Sequence, residues 1–298
     1  MRFDLVDLQL FVHVAQSGSL TRGAARSNLS LASASERVRK MEDLARVRLL
    51  ERRGRGISLT AAGRAFVHHA QLILRQIDSL KSELSEHAGG LRGQVRMLAN
   101  SAAVSEFLPA TFRDFLRTHP GIYVDVEEKS SDEIVRAVSS GYAELGVVAD
   151  IVDFHGLETH PFATDRLVLV TPVHHPLGRG GQRLRFAAVL EEEFVGLAAT
   201  NALQQHLGWQ AQQVGKTLKL RVRLGSFDAV CRMVGSGIGV GIVPEAAARR
   251  CRRTAAVRIA RLGDSWALRR LYLCTRDVRQ LAAPARQLWE HLRSSSAV

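Results

Sequence analysis

Cysteine is scarce in this chain. Cys231, Cys251 and Cys274 are odd in number, lie far apart and form no CxxC pair. That excludes a disulfide framework and a structural zinc site, and it fits a reducing compartment. No stretch is long and apolar enough to span a membrane. Met1-Arg2 runs into Asp4 and Asp7 rather than the apolar stretch of a secretory signal. The expected location is therefore the cytoplasm, with no membrane partner. Lysine is also rare: Lys40, Lys81, Lys129, Lys216 and Lys219 account for only five of the 41 basic residues. Histidine occurs in the adjacent pairs His68-His69 and His174-His175; neighbours on a helix or strand point apart, so neither pair makes a good chelate. No Ser/His/Asp spacing of a nucleophilic triad stands out. The glycine run Ser236–Gly241 lacks the Gly-x-Gly-x-x-Gly spacing and lies between a helix and a strand. It reads as a place of close backbone packing. Neither a metal nor another cofactor is expected, and no catalysis.

What the chain does have is positive charge. Basic residues exceed acidic ones by 12 over 298 residues, which points to a polyanionic partner. An arginine-rich proteome would also raise this figure, so the distribution matters more than the sum. Residues 1–60 hold eleven basic and six acidic side chains, whereas 61–91 hold three of each. The length suits two domains.

In the first sixty residues, Leu5, Leu8, Phe11, Val12 and Ala15 recur at helical spacing. Ser17-Gly18-Ser19 ends that helix, and Ser19 or Thr21 is placed to cap a short second one. After Asn28-Leu29, Ser30 is placed to cap a third helix running to about Asp43, with Ala34, Val38 and Met41 as its inner stripe. A short helix, a tight turn and a helix with a polar, basic outer face make a helix-turn-helix. Its candidate DNA-facing residues are Ala32, Ser33, Ser35, Glu36, Arg37, Arg39 and Lys40. Two short apolar pieces, at Leu49-Leu50 and Ile57–Leu59, flank an Arg/Gly-rich tip and read as a two-stranded wing. Arg52, Arg53 and Arg55 there suit phosphate or minor-groove contact.

The ordered set Phe11-Val12, Ala15, Gly18-Ser19, Ala24, Ser30, Ser35, Val38, Glu42, Glu51-Arg52, Leu59-Thr60 and Gly63 resembles the signature of LysR-type transcriptional regulators. The chain departs from that pattern at Leu31-Ala32, where Gln-Pro is common, and at Glu36, Ser27 and Arg46. Leu31 can read a base only by apolar contact, for instance with a thymine methyl. The resemblance implies a dimeric or tetrameric DNA-binding protein with a small-molecule-sensing C-terminal domain.

Phe66, Ala70, Ile73, Ile77, Leu80 and Leu84 are spaced 4, 3, 4, 3, 4, an a/d heptad seam. A seam of this period on a helix over 61–87, stopped by Gly89-Gly90, predicts pairing with a second copy of the chain. The alternative is a helix lying on its own C-terminal domain.

Residues 91–298 alternate strand-like and helix-like segments. Strand patterns occur at Val95–Ala99, Ile122–Val126, Leu145–Val148, Leu167–Val170, Phe194–Leu197, Leu218–Leu224, Ile238–Val243 and Leu268–Thr275. This βαβ rhythm predicts an α/β class with a mostly parallel sheet. The expected organisation is a winged helix-turn-helix over 1–60, a linker helix over 61–90 and an effector domain over 91–298. The resemblance further implies a two-lobed, periplasmic-binding-protein-like effector domain, with 92–162 and 268–298 in one lobe and 163–267 in the other.

Polar residues stand at predicted helix starts: Asn100-Ser101, Ser130-Ser131, Thr200-Asn201 and Ser226. Helix N-termini offer free N–H groups to an anion. Singly each is an ordinary cap; only convergence on one cleft would be functional. The family places its effector near the positions of Ser101, Thr200 and Ser226, so Ser101, Ser130, Thr200, Asn201, Ser226 and Phe227 are the candidate effector residues, and a small anionic or otherwise polar metabolite is the candidate ligand. The expected partners are double-stranded DNA at inverted repeats, the effector, a second copy of the chain and RNA polymerase. Two other readings compete, an α/β enzyme with a basic surface and a DNA-architectural protein without a ligand. The heptad linker and arginine-rich wing argue against the first. Two hundred residues of α/β pattern argue against the second.

Overall fold

The computed structural model describes residues 3–296 except 54–55, 88–92, 155 and 179–182. The chain forms two compact units, Met1–Gly93 and Gln94–Val298.

The first unit begins with α1 (Leu5–Ser17), α2 (Leu20–Arg26) and α3 (Leu31–Ala45). Asp4 and Asp7 form a capping box at the start of α1, and Gly18 ends it in the left-handed region at φ 59°. Ser19, not Thr21, caps α2, and Ser30 caps α3. Leu10, Phe11 and Val14 of α1 pack with Ala24, Ala34, Val38 and Met41 into one core. The wing follows as an antiparallel pair, β1 (Leu50–Arg53) and β2 (Gly56–Leu59), with Leu50 opposite Leu59. Then α4 runs from Ala61 to His87. Gly63 sits where α4 meets the wing. A Cβ there would lie 2.0 Å from the Leu49 carbonyl oxygen, so no larger residue fits without movement.

The second unit starts with β3 (Gly93–Ala99), a π-turn at Ala103–Phe107, α5 (Leu108–Thr118), β4 (Ile122–Glu128), α6 (Ser131–Ser139) and β5 (Leu145–Ala149). It continues with β6 (Glu158–Pro172), α7 (Phe186–Val189), β7 (Glu193–Leu197), α8 (Ala202–Gln213), β8 (Lys219–Leu224) and α9 (Phe227–Gly235). It ends with β9 (Gly241–Pro244), α10 (Glu245–Cys251), β10 (Val257–Arg261), β11 (Leu268–Thr275) and α11 (Ala283–Ser294). The strand order is β10-β6-β11-β5-β3-β4, with β9 also on β6 and β7 paired with β8.

The expectation of a mostly parallel sheet fails here. β3 with β5 and β7 with β8 are parallel, but β11 is antiparallel to both β5 and β6, and β9 and β10 are antiparallel to β6. The reason is connectivity. Local βαβ rhythm predicts parallel neighbours, yet β11 enters between β5 and β6 from more than a hundred residues downstream. β6 is also far longer than the Leu167–Val170 pattern. Its first half, from Glu158, pairs with β11, and its second half with β9 and β10. One strand thus passes from the first lobe into the second, and β11 brings the chain back. The lobe holding β7–β10 has its own core, centred on Leu167–Val170, Phe186, Phe194, Leu207, Phe227 and Val243.

Candidate functional site

On α3, Ala32, Ser35, Arg39 and Lys40 are exposed, while Ser33 and Glu36 are half-buried. Glu36 pairs with Arg39 at 3.2 Å and Lys40 at 3.6 Å, both one turn along its own helix. Exposed pairs of this kind are weak and yield readily to phosphate. Arg37 is placed differently. Its guanidinium reaches back to the α1 capping box, 3.0 Å from Asp4 and 2.6 Å from Asp7. The Asp7 backbone N–H, and after it the Arg37 guanidinium, hold the Asp4 carboxyl below its ordinary value. Arg37 therefore clamps α3 to α1 and stands apart from the exposed set. Leu31 is exposed at the start of α3. Arg52 and Arg53 lie in β1, opposite Ile57 and Gly56; Arg55 lies outside the described residues.

Glu42, a position of the resemblance, anchors the wing. Its carboxylate accepts from the backbone N–H of Leu49 at 2.8 Å and Leu50 at 3.1 Å, and from Arg48 at 2.8 Å.

The heptad seam divides into two parts. Phe66 packs edge-on against Phe11, ring centroids 4.9 Å apart, and Ala70 is buried with Leu8 and Val12 of α1. These two residues hold α4 to its own domain and are not free for a second copy. Ile73, Leu80 and Leu84 are 47%, 53% and 61% exposed, and Ile77 is half-buried. The part of the seam that needs a partner thus begins at Ile73.

In the second unit a cavity of about 570 Å³ opens between the lobes. Three helix-start segments converge on it: Asn100–Ala102 before the π-turn, Ser130–Asp132 at α6, and Ala202-Leu203 at α8. π-turns are frequent at functional sites. The lobes touch directly at the rim. Asn201 spends its Oδ1 capping α8 through the N–H groups of Leu203 and Gln204. Its Nδ2 therefore faces the other lobe, donating to Ser101 Oγ at 3.1 Å and Glu128 Oε1 at 2.7 Å. Ser101 in turn donates to Glu128 at 2.6 Å. A second cross-lobe contact joins Arg250 to Glu106, and within its own lobe the same guanidinium pairs with Asp228 at 2.8 Å.

Of the expected effector residues, Ser101 and Ser130 line the cavity and Asn201 is bonded to its rim. Thr200 is exposed in the turn before α8, and Ser226 caps α9; neither lines the cavity. Phe227 is 4% exposed within the core of its own lobe. Sequence reasoning missed Arg269, His206, Trp209 and Ile151, all of which line the cavity. Arg269 comes from β11, where its buried side chain pairs with Asp165 of β6 through Nε at 3.0 Å and through Nη2. Burial, then the charge of Arg269, hold His206 down at about 4, so the ring is neutral at pH 7. His206 and Trp209 are three apart on α8 and share a face; that spacing was the one signal available.

Among the described residues no cluster of His, Cys, Asp and Glu could hold a metal, and no helix is long and apolar enough to cross a membrane. The three cysteines are buried and free.

Residues 5–64 match the family model of the bacterial regulatory helix-turn-helix protein, lysR family, and residues 88–297 match that of the LysR substrate binding domain. The chain is 28% identical over 243 residues to the RuBisCO operon transcriptional regulator of Allochromatium vinosum, covering 82% of this chain and 80% of that one. It is 25% identical over 246 residues to the HTH-type transcriptional regulator AlsR of Bacillus subtilis, covering 82% and 81%. Its fold is that of CbnR, a LysR family transcriptional regulator, with a TM-score of 0.69 at 21% identity over 99% of this chain and 100% of that one. Full-length CbnR with its target DNA gives 0.68 at 22% identity, covering 99% and 100%. The helix-turn-helix, its wing and the two-lobed cleft domain thus stand in one chain in the order both family models require, and the protein belongs to the LysR family of DNA-binding transcriptional regulators with a ligand-binding domain.

Proposed function

We infer that the protein works in the cytoplasm as a homo-oligomer on inverted-repeat DNA, and that a small molecule held between its lobes, 92–162 with 268–298 and 163–267, changes how it grips that DNA. The observation that carries this reading is the inter-lobe cavity on which three helix starts converge. A ligand there touches both lobes, so it favours one lobe arrangement over another and shifts the population accordingly. The coupling to DNA is a free energy between two sites and is reciprocal. On the DNA side, Ser35, Arg39 and Lys40 are the base-proximal candidates, and Arg52, Arg53 and Arg55 serve the phosphates. RNA polymerase is the further partner such a regulator acts upon. The reading as a regulator that turns over no substrate is supported by the two family models, both of transcriptional regulators.

The test is gel-shift titration on fragments recovered with the protein from genomic DNA, at several salt concentrations. Affinity falls steeply with salt. Arg53→Ala weakens binding to all sequences alike, whereas Arg39→Ala and Ser35→Ala also alter sequence preference. Salt-insensitive binding, or variants with unchanged affinity, would rule out the assigned interface.

A further inference from the structure

We propose that the ligand of the cleft is a monocarboxylate with an apolar, ring-bearing or alkyl body, its carboxylate received by Asn100 and Arg269 and its body laid between Trp209 and Ile151. This rests on the regulator reading above and names the chemical class its cleft selects.

The polar end of the cavity holds groups that folding leaves unused. Asn100 is 4% exposed, and its Oδ1 accepts from the Ala103 backbone N–H at 3.0 Å, which fixes the amide orientation. Its Nδ2 is then a buried donor with no partner. Such a group is costly to leave unmade and points to a missing acceptor. His206 Nε2 is likewise buried without a partner. Arg269 gives Nε and Nη2 to Asp165, and Nη1 takes no part in that pair. Asn100 follows the carboxyl end of β3. Arg269 lies beside the carboxyl end of β5, since the Asp150 backbone N–H donates to the Arg270 carbonyl and the Arg270 backbone N–H donates to the Asp150 carboxylate. The carboxyl ends of parallel strands are where α/β sheets receive ligands. The N-terminus of α8, with no acidic residue in its first turn, faces the same cavity and adds positive potential.

The lining also holds large apolar side chains that no core requires. Trp209 is 54% exposed and Ile151 46% exposed, one from each lobe, with Val152 beside them. Two large apolar side chains left in water in the lining of one cavity mark a surface that a ligand covers. The rim restricts the charge. Asp132 lines the cavity and Glu128 holds the Ser101–Asn201 clasp, so a second carboxylate on the ligand would meet like charge.

The experiment uses the full-length protein with phenylacetate, 3-phenylpropionate and hexanoate, their uncharged amides, and succinate. Binding is read by the thermal shift and by quenching of tryptophan fluorescence. The carboxylates stabilise the protein by mass action and quench Trp209; the amides and succinate bind at least about tenfold more weakly, the ratio expected for one lost charged hydrogen bond. Asn100→Asp keeps the Oδ1 acceptor for Ala103 and replaces the free donor by an oxygen. It removes carboxylate binding, with hexanoate affected as much as phenylacetate. Trp209→Ala lies on an exposed position and folds normally. It weakens every probe several-fold and abolishes the quench. Amides that bind as tightly as the acids, or carboxylates that leave the folded protein unshifted at millimolar concentration, overturn the ligand class. Genomic DNA fragments are titrated with the same preparation. Lost DNA binding with carboxylate binding intact would instead overturn the regulator reading alone.

Discussion

Replacing Glu42 by alanine should unfold the DNA-binding unit well before the rest of the chain. Glu42 is 8% exposed and its carboxylate accepts the backbone N–H groups of Leu49 and Leu50. Leu49 is 2% exposed, so its N–H has no water to turn to. A hydrogen bond to a charged group contributes about 1.5–3 kcal/mol, and a stranded buried donor costs about 1–3 kcal/mol. Taken together, and allowing for the partial exposure of Leu50, the loss is about 3 kcal/mol. In a unit of this size each kcal/mol moves the melting temperature by roughly 4–8 °C, so a fall of more than about 10 °C is expected. Glu42→Gln, which keeps one acceptor, lies between. All three tryptophans, Trp209, Trp266 and Trp289, belong to the second unit. Far-ultraviolet circular dichroism therefore sees both units melt, while tryptophan fluorescence sees only the second. The early dichroism transition should drop and the fluorescence transition stay. The pH dependence has a definite sign. Burial raises the carboxyl, but the Leu50 and Leu49 N–H groups and Arg48 outweigh it and hold it below its ordinary 4.5. A depressed carboxyl contributes stability in full above that value, and the contribution is lost as pH falls through the folded value. The wild-type advantage over Glu42→Gln should therefore shrink on acidification. A loss under about 1 kcal/mol for Glu42→Ala, or a fluorescence transition that moves with it, refutes the reasoning.

Arg46 ends α3 in the left-handed region at φ 54°, a conformation that costs a non-glycine residue about 1–2 kcal/mol; Arg46→Gly should raise the stability of the same unit by about 0.5–1 kcal/mol after the entropy of the unfolded glycine is subtracted, read as a later dichroism transition. Gly239 sits at φ +141°, where a Cβ would lie 2.4 Å from the Glu193 carbonyl oxygen. Gly239→Ala should lower the fluorescence transition, with a cost of several kcal/mol expected from overpacking and strain together, and an unchanged midpoint would show that the β7 edge yields easily. Ile73→Glu with Ile77→Glu places charge on the unpartnered part of the α4 seam and should reduce the mass seen by light scattering, whereas Phe66→Ala should lower stability, because Phe66 packs on α1. Unchanged mass in the double variant would mean that the seam pairs with nothing.

Much of the first unit was legible because its signals are local. The caps Ser19 and Ser30, the stripe Ala34, Val38 and Met41, and the stop at Gly18 each act within one turn of their own residue. Arg37 was misleading for the opposite reason. On its own helix it belongs to the polar face, and only the approach of Asp4 and Asp7 from α1 gives it a partner. The seam misled in the same way, since periodicity shows that Phe66 and Ala70 share a face with Ile73 but not what covers each of them. In the second unit the parallel pairs β3–β5 and β7–β8 follow from local rhythm, while the insertion of β11 does not. Ser101, Ser130 and Asn201 were found because helix caps have a sequence signature. Arg269, Trp209 and Ile151 carry none, and they reach the cleft only through the path of β11, the pitch of α8 and the loop after β5.

The cleft's own contacts suggest why so small a ligand can matter. The covalent path between the lobes runs through β6 and β11, and the Asp165–Arg269 pair locks those two strands where they cross from one lobe to the other. That pair is buried, so removing either partner would be expensive, and it belongs to the fixed part of the structure. The rim contacts are different. Asn201 and Glu128 meet at a half-exposed edge, and Arg250, its guanidinium 46% exposed, reaches across to a Glu106 side chain only 3% exposed. An exposed contact such as Asn201–Glu128 contributes about 0–1 kcal/mol, so that edge of the lobe arrangement is held by little more than thermal energy, whereas the buried Glu106 carboxylate is the costlier one to leave without its partner. A ligand shifts such an equilibrium only by its difference in affinity for the two arrangements. One carboxylate satisfying the buried Asn100 donor is enough to exceed the exposed Asn201–Glu128 contact, because a hydrogen bond in a low-dielectric site is stronger than one open to water. The rigid hinge and the weak rim thus divide the work: the first fixes the path of any movement, and the second leaves its direction to whatever fills the cavity.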